Sequence, residues 1–356
     1  MKKKTYKIIS VIGARPQFIK ASPIELAFSK FENVEFYSIH TGQHYDENMS
    51  QIFFNQLNLK KPYKTLESGG KSHAKQTADI LIGIEELLIE IMPDLIIVYG
   101  DTNSTIGAAL AAAKLHIPIA HIEAGLRSFN KQMPEEVNRI LTDHISDLLF
   151  VPSETALNQL ASEGINQDVY LCGDVMKDIM NICLEQKIVP AQNNKNYYYT
   201  TIHRPYNTDN KDRLLHILNT LNTLDKPVIF SIHPRTLNLL KNSYQIDLNF
   251  NNIAFIEPQG YFDNLAYLKN CDCVITDSGG MQKEAYWLKR KCITIRKETE
   301  WTETLENGCN TLVFDNLSEI QKIISDTNIQ FDDTLYGTAN ASEIIAEKTM
   351  AYLYKK

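Results

Sequence analysis

The chain has 356 residues, 44% of them apolar and 22% charged, with a formal net charge of −7. That length exceeds one ordinary core and suits two domains, and the acidic balance excludes a general nucleic-acid binder. Behind the lysine-rich start the apolar run is too short for a signal peptide, and no stretch reaches the length of a membrane-spanning helix. The expected setting is therefore the cytoplasm, without a membrane. The six cysteines show no metal-ligand spacing and read as buried free thiols in a reducing compartment.

Strand-like runs alternate with helix-length amphipathic segments almost throughout, which predicts an α/β fold of parallel sheets covered by helices. Tyr6 to Ile12 is the first strand. The turn Gly13-Ala14-Arg15-Pro16 behind it suits an anion, with Arg15 adding a guanidinium. No GxGxxG follows, so the dinucleotide fingerprint is missing. Pro23 predicts a short or kinked helix. Val34 to His40 is the second strand, and in the polar loop after it Gln43 and His44 fit either a ligand contact or ordinary loop capping. Lys71 to Met92 reads as a long helix and Asp94 to Tyr99 as a buried strand. Asp101, just past that strand, fits a helix N-cap and equally a ligand-facing acid.

The stretch Ile119 to Arg139, IAHIEAGLRSFNKQMPEEVNR, organises the first half. Glu123 stands directly behind a short β-branched run, and Glu135 and Glu136 open what reads as a helix. In an open α/β sheet, polar residues past the carboxyl ends of strands face the ligand crevice. If the strands are parallel, Asp101 and Glu123 share that edge, and carboxylates gathered there are the equipment of proton transfer. The competing reading has Glu123 capping a helix and Glu135 and Glu136 complementing its dipole.

Leu148 to Pro152 is a further strand, and Val169 to Asp174 closes a first domain; the polar linker Gln186 to Lys195 follows. Asn196 to Ile202 starts a second domain, with His203 and Arg204 at its carboxyl end. His-Arg-Pro there suits a diphosphate, although a lone histidine is more often structural. Val228 to His233 repeats the pattern. The sharpest motif is Asp277-Ser278-Gly279-Gly280-Met281-Gln282-Lys283-Glu284, which follows the strand CVIT and opens a helix. Its glycines let backbone N–H groups approach an anion, and Glu284 is placed to accept the hydroxyls of a ribose. A tight strand–helix junction with a solvent-facing glutamate is the plain alternative. Arg296 begins the segment RKETEW behind the next strand and is expected to line the same crevice.

Taken together, IGARPQFIKASP, HTGQHYDENMSQIFF, VYGDTNST, HIEAGLRS, MPEEVNRILTDH, IHPRT, DSGGMQKEA and RKETEW resemble, in order, the motifs of the non-hydrolysing UDP-N-acetylglucosamine 2-epimerases. The resemblance covers nearly the whole chain. It implies two Rossmann-like domains of the glycosyltransferase-B type with a ligand cleft between them. Residues 1–173 would form the first domain, 174–337 the UDP-binding domain, and 338–356 a helix returning to the first. It implies a UDP-sugar substrate, a homodimer, a role in surface-polysaccharide synthesis, and neither metal nor nicotinamide. By motif, Asp101, Glu123 and Glu135 would be the acid/base carboxylates, with Arg127 and Arg139 beside them. His203 would act on the leaving diphosphate together with Arg15, Arg204 and the Ser278-Gly279-Gly280 backbone, and Glu284 would hold the ribose. Gln43 and His44 fall in the loop of an allosteric site, though Tyr45 replaces a common arginine there. Lys283 stands where a second glutamate is common, and Trp301-Thr302 replaces a frequent Arg-Pro. The GARPQFIKA and ETEW variants resemble the branch acting on UDP-2,3-diacetamido-2,3-dideoxyglucuronate. A glycosyltransferase of the same fold and a non-catalytic nucleotide-sugar sensor are the rival readings. Neither needs three carboxylates in the first half of the chain.

Overall fold

The computed structural model describes residues 4–43, 60–192 and 194–356, the side chains of Arg15 and Pro16 excepted. The chain packs as two units, residues 1–182 with 334–356 and residues 183–333. In the first, the strands β1 (Tyr6–Ile12), β2 (Val34–His40), β3 (Lys64–Thr65), β4 (Leu95–Tyr99), β5 (Ile119–Ile122), β6 (Leu148–Val151) and β7 (Val169–Leu171) form one sheet in the order β3-β2-β1-β4-β5-β6-β7. In the second, β8 (Tyr198–Thr201), β9 (Val228–Ser231), β10 (Ile253–Ile256), β11 (Cys273–Thr276), β12 (Lys291–Thr294) and β13 (Asn310–Leu312) are ordered β10-β9-β8-β11-β12-β13.

Every recorded strand pair is parallel. Parallel strands bury both faces, which is why β4 and β6 read as unbroken apolar runs rather than alternating ones. In each sheet the strand order reverses beside the unit's first strand, between β1 and β4 and between β8 and β11. Ligands of open α/β sheets bind at such reversals, outside the carboxyl ends of the strands.

One face of the first sheet is covered by the helices Arg15–Phe28 and Ala341–Lys355, which share a core of Ile24, Phe28, Ile345, Met350 and Leu353 with Ile8, Leu95 and Ile97. The opposite face carries the helices His73–Ile91 and Asn103–Lys114, through Ile80, Ile84, Ala108 and Ala112. The second unit has its own core around Tyr198, Leu218, Phe230 and Ile275. All six cysteines are buried free thiols. Among the described residues no helix is long and apolar enough to cross a membrane.

The first helix departs from expectation. It runs unbroken from Arg15 to Phe28 with Pro23 inside it. Proline leaves the carbonyl four residues earlier without its usual donor; here the hydroxyl of Ser22 donates to Ile19 O at 2.8 Å instead. The residue beside the proline thus supplies the lost bond.

The chain's last helix is anchored by Asp178, whose buried carboxylate accepts from Ala341 N (3.2 Å), Ser342 N (2.7 Å) and Ser342 Oγ (2.7 Å). Those backbone amides belong to a helix start that would otherwise lack partners. Asp178→Ala should destabilise the protein by about 2 kcal/mol and speed amide exchange at the start of that helix. Urea unfolding with site-resolved hydrogen exchange checks this, and unchanged protection at Ser342 would refute the anchoring role.

Candidate active site

The carboxyl edge of the first sheet gathers the acids predicted from sequence. Asp101 follows Gly100 at the end of β4. It does not cap the next helix; Thr102 does, its side chain accepting from Thr105 N at 3.3 Å. The Asp101 carboxylate instead receives Arg139 Nη2 at 2.6 Å. Burial raises its pKa; Arg139 and Lys20 oppose the rise, and the nearby Glu123 and Glu135 reinforce it. A carboxyl raised toward the working pH suits proton transfer.

Glu123 does not cap a helix either. It stands behind β5 with a positive φ of 69°, and the next helix begins only at Pro134. Its carboxylate pairs closely with the ammonium of Lys20, and both side chains are largely buried. The Pro-Glu-Glu pair divides its labour. Glu136 is buried and accepts from Ser128 N (2.9 Å), Ser128 Oγ (2.9 Å), Phe129 N (2.8 Å) and Arg139 Nη1 (2.7 Å), which pins the loop ahead of the helix. Burial alone would raise its pKa, but these bonds hold it below the usual value. Glu135 stays half-exposed, within electrostatic reach of Asp101.

Other predicted residues are placed less directly. Arg127 is occupied internally: it donates to Glu163 through Nε (2.8 Å) and Nη2 (2.7 Å), and through Nη1 to Asp143 (2.6 Å) and Leu126 O (2.7 Å). Arg139 bridges Glu136 and Asp101 and so orients one acid against another. The expected anion seat at Gly13-Ala14 is filled from within, since Gln17 Oε1 accepts from both backbone amides at 2.8 and 3.1 Å. Arg15 opens that helix, but its side chain lies outside the described residues, as does the whole of His44. Gln43 accepts from Ser104 N (3.0 Å) and Ser104 Oγ (2.7 Å), at the start of the helix Asn103–Lys114.

In the second unit the strand reversal is organised by Asp277. This fully buried carboxylate accepts from His203 N (3.1 Å), Arg204 N (2.9 Å) and Asn207 Nδ2 (3.1 Å), and it faces His203 Nδ1 at 3.3 Å. It therefore binds the His-Arg loop after β8 to the Ser-Gly-Gly loop after β11. Burial lowers the pKa of His203; Asp277 opposes this, while Arg204 and His233 add to it.

Ser278 precedes the helix Gly279–Trp287 and makes no side-chain cap bond. A Cβ on Gly279 would stand 2.6 Å from Glu300 Oε1, so a side chain there would displace that carboxylate. A Cβ on Gly280 would meet nothing within 4 Å, so packing does not demand the second glycine. Glu284 is buried near Asn264, whose Nδ2 lies 3.4 Å from Oε2 and whose Oδ1 accepts from Tyr199 OH at 2.9 Å. Arg296 donates to Glu300 at 2.8 Å, and its buried Nη1 has no hydrogen-bond partner among the described residues.

The two unusual residues at 283 and 301 prove to be one contact. The Lys283 ammonium lies 3.6 Å from the centroid of the Trp301 ring, and both residues are buried. The pair is a buried cation–π contact.

The roles of Lys20 and Gln17 and the buried, loop-holding roles of Glu136 and Asp277 emerge only from the structure. Only Asp277 carried a signal, an acid directly behind a buried strand. Lys20 and Gln17 sit in a helix where polar residues look like ordinary surface. Among the described residues no group of three or more His, Cys, Asp or Glu is placed to hold a metal ion.

The family model for UDP-N-acetylglucosamine 2-epimerase matches residues 26–349. A UDP-N-acetylglucosamine 2-epimerase homolog of Methanococcus maripaludis is 45% identical over 96% of this chain and 98% of its own length. The UDP-2,3-diacetamido-2,3-dideoxy-D-glucuronate 2-epimerase of Pseudomonas aeruginosa is 42% identical over 96% and 98%. The crystal structure of Methanocaldococcus jannaschii UDP-GlcNAc 2-epimerase in complex with UDP-GlcNAc and UDP superposes with a TM-score of 0.87 at 41% identity, covering 97% of this chain and 99% of that one. The two Rossmann-like sheets are thus those of a GT-B-type fold. The chain belongs to the UDP-N-acetylglucosamine 2-epimerase family, whose members are isomerases.

Two tests follow from this geometry. Arg139→Gln removes the cation that favours the Asp101 carboxylate, so the Asp101 pKa should rise further; a carboxyl ¹³C titration reads it, and no upward movement would deny the ion pair. Lys283→Glu and Trp301→Arg should each destabilise the second unit by about 2 kcal/mol or more. The double variant should regain part of the loss as an ion pair. Strictly additive losses in a double-mutant cycle would mean that the two side chains do not depend on each other.

Proposed function

We propose that this protein inverts C2 of a UDP-linked 2-acetamido sugar, interconverting UDP-GlcNAc and UDP-ManNAc. The observation that carries the reading is Asp101 with its raised pKa, held by Arg139 and flanked electrostatically by Glu123, Glu135 and Lys20. A sugar transferase or a sensor has no use for such a cluster.

The C2 hydrogen of such a sugar is not beside a carbonyl, so enolisation is not open to it. Elimination is. A carboxylate takes the C2 proton while the C1–O bond breaks and its electron pair leaves with UDP, giving the glycal. UDP then adds back at C1 as a second carboxyl group delivers a proton to the other face of C2. Atoms and electrons balance without any oxidant, so no nicotinamide is called for.

The second unit's groups suit the leaving diphosphate: the Asp277-held loop with His203 and Arg204, the amides at Ser278-Gly279-Gly280, and Arg296, while Glu284 suits the ribose. Arg15 would join them. On this reading Arg127 and Arg139 act indirectly, by holding the loops and the acids. The resemblance extends the proposal to a cytoplasmic homodimer.

Proton NMR in D2O should show the manno isomer with deuterium at C2 when UDP-GlcNAc is supplied. A parallel sample of the diacetamido-glucuronate analogue separates the two substrates. Asp101→Asn and Glu123→Gln should each abolish turnover while leaving UDP affinity within about threefold. A fully active variant would remove that residue from the mechanism. No exchange with either sugar, UDP still binding, would favour a transferase or a sensor.

A further inference from the structure

His121 and Asp143 form a fully buried pair beneath the acids of the first unit. His121 lies in β5; its Nδ1 is 2.7 Å from Asp143 Oδ1, and its Nε2 is 2.8 Å from Gly100 O. A carbonyl oxygen can only accept, so Nε2 carries a hydrogen and donates it to Gly100. Gly100, with a φ of 60°, is the residue before Asp101. The peptide link that this bond holds is therefore the one that sets where the Asp101 side chain begins.

The other oxygen of Asp143 accepts from Gly125 N at 3.2 Å and Arg127 Nη1 at 2.6 Å. Gly125 follows Glu123 by two residues, and both have positive φ, 79° and 69°. Left-handed backbone at a glutamate is costly and persists only when its surroundings over-determine it. Asp143 itself belongs to the helix Pro134–Ile145, which carries Glu135, and Arg139 of the same helix reaches Asp101. One imidazole and one carboxylate thus tie together the turn before Asp101, the loop after Glu123 and the helix bearing Glu135.

We propose that His121, seated on Asp143, is a positioning residue of the epimerisation: through the Gly100 carbonyl it fixes Asp101 relative to Glu123 and Glu135. The inference rests on the C2-inversion reading. It goes further in assigning part of the rate to a histidine that touches no substrate.

The test compares His121→Gln with His121→Asn. Glutamine places its amide near the position of Nε2 and can still donate to Gly100 O. Asparagine reaches only the position of Nδ1. With UDP-GlcNAc as substrate, His121→Asn should lose roughly 100-fold in kcat with KM within about threefold, and His121→Gln should recover to within about tenfold of wild type. UDP affinity, a property of the second unit, should be unchanged in both. Equal activity of the two variants, or a loss confined to KM, overturns the proposal, because a merely structural histidine would not separate them in kcat. If His121→Asn does not fold, His121→Gln decides alone: a folded protein below a hundredth of wild-type kcat overturns it. Wild type without deuterium at C2 overturns the C2-inversion reading and this proposal together, whereas a wild type that exchanges isolates the role of His121.

Discussion

Because the strands of each sheet run the same way, every strand-to-helix loop of a unit leaves from one edge. That constraint delivers the polar residues of many distant segments to one place and at the same time creates a difficulty. Loops over a sheet edge carry amides that no strand partner satisfies, and several here bend through left-handed backbone at Gly100, Glu123 and Gly125. Something must hold them. In both units the answer is a buried carboxylate: Asp143 and Glu136 in the first, Asp277 in the second, each accepting from at least one backbone N–H of a loop and from a side chain elsewhere.

A buried carboxylate is an expensive pin. Its desolvation is offset only where hydrogen bonds and opposite charges are complete, and breaking such a set costs about 3–5 kcal/mol. Asp143 shows how complete the set must be, with Arg127, Gly125 and His121 around one side chain. The pKa directions sort the acids accordingly. Glu136 and Asp143, rich in donors, are held below their usual values; Asp101, buried beside other carboxylates, is raised. The same edge thus holds acids whose donors favour the charged form and one, Asp101, whose surroundings oppose it.

The fold was legible because parallel β/α alternation writes itself as short apolar runs between amphipathic stretches. The first acids were legible for the same reason: Asp101 and Glu123 stand immediately behind buried runs. What stayed hidden depends on pairs far apart in sequence. Lys20 meets Glu123 across 103 positions, and Gln17 reaches Tyr99 O across 82. On a helix such residues show the pattern of solvated surface, and nothing local reveals that they point inward. Glu135 and Glu136 were indistinguishable as letters. Only the path of the loop 128–133 makes one a pin and leaves the other half-exposed within electrostatic reach of Asp101.

Residues 283 and 301 show the limit from the other side. As separate letters, a lysine near a glycine-rich helix start suggests an anion contact, and a tryptophan behind a strand suggests core. Their contact turns the lysine inward, over the ring and away from bulk water. Lys283 lies one turn into the helix Gly279–Trp287 and Glu300 comes close to Gly279, so a cation and an acid share that helix start and the charge of neither can be read there alone.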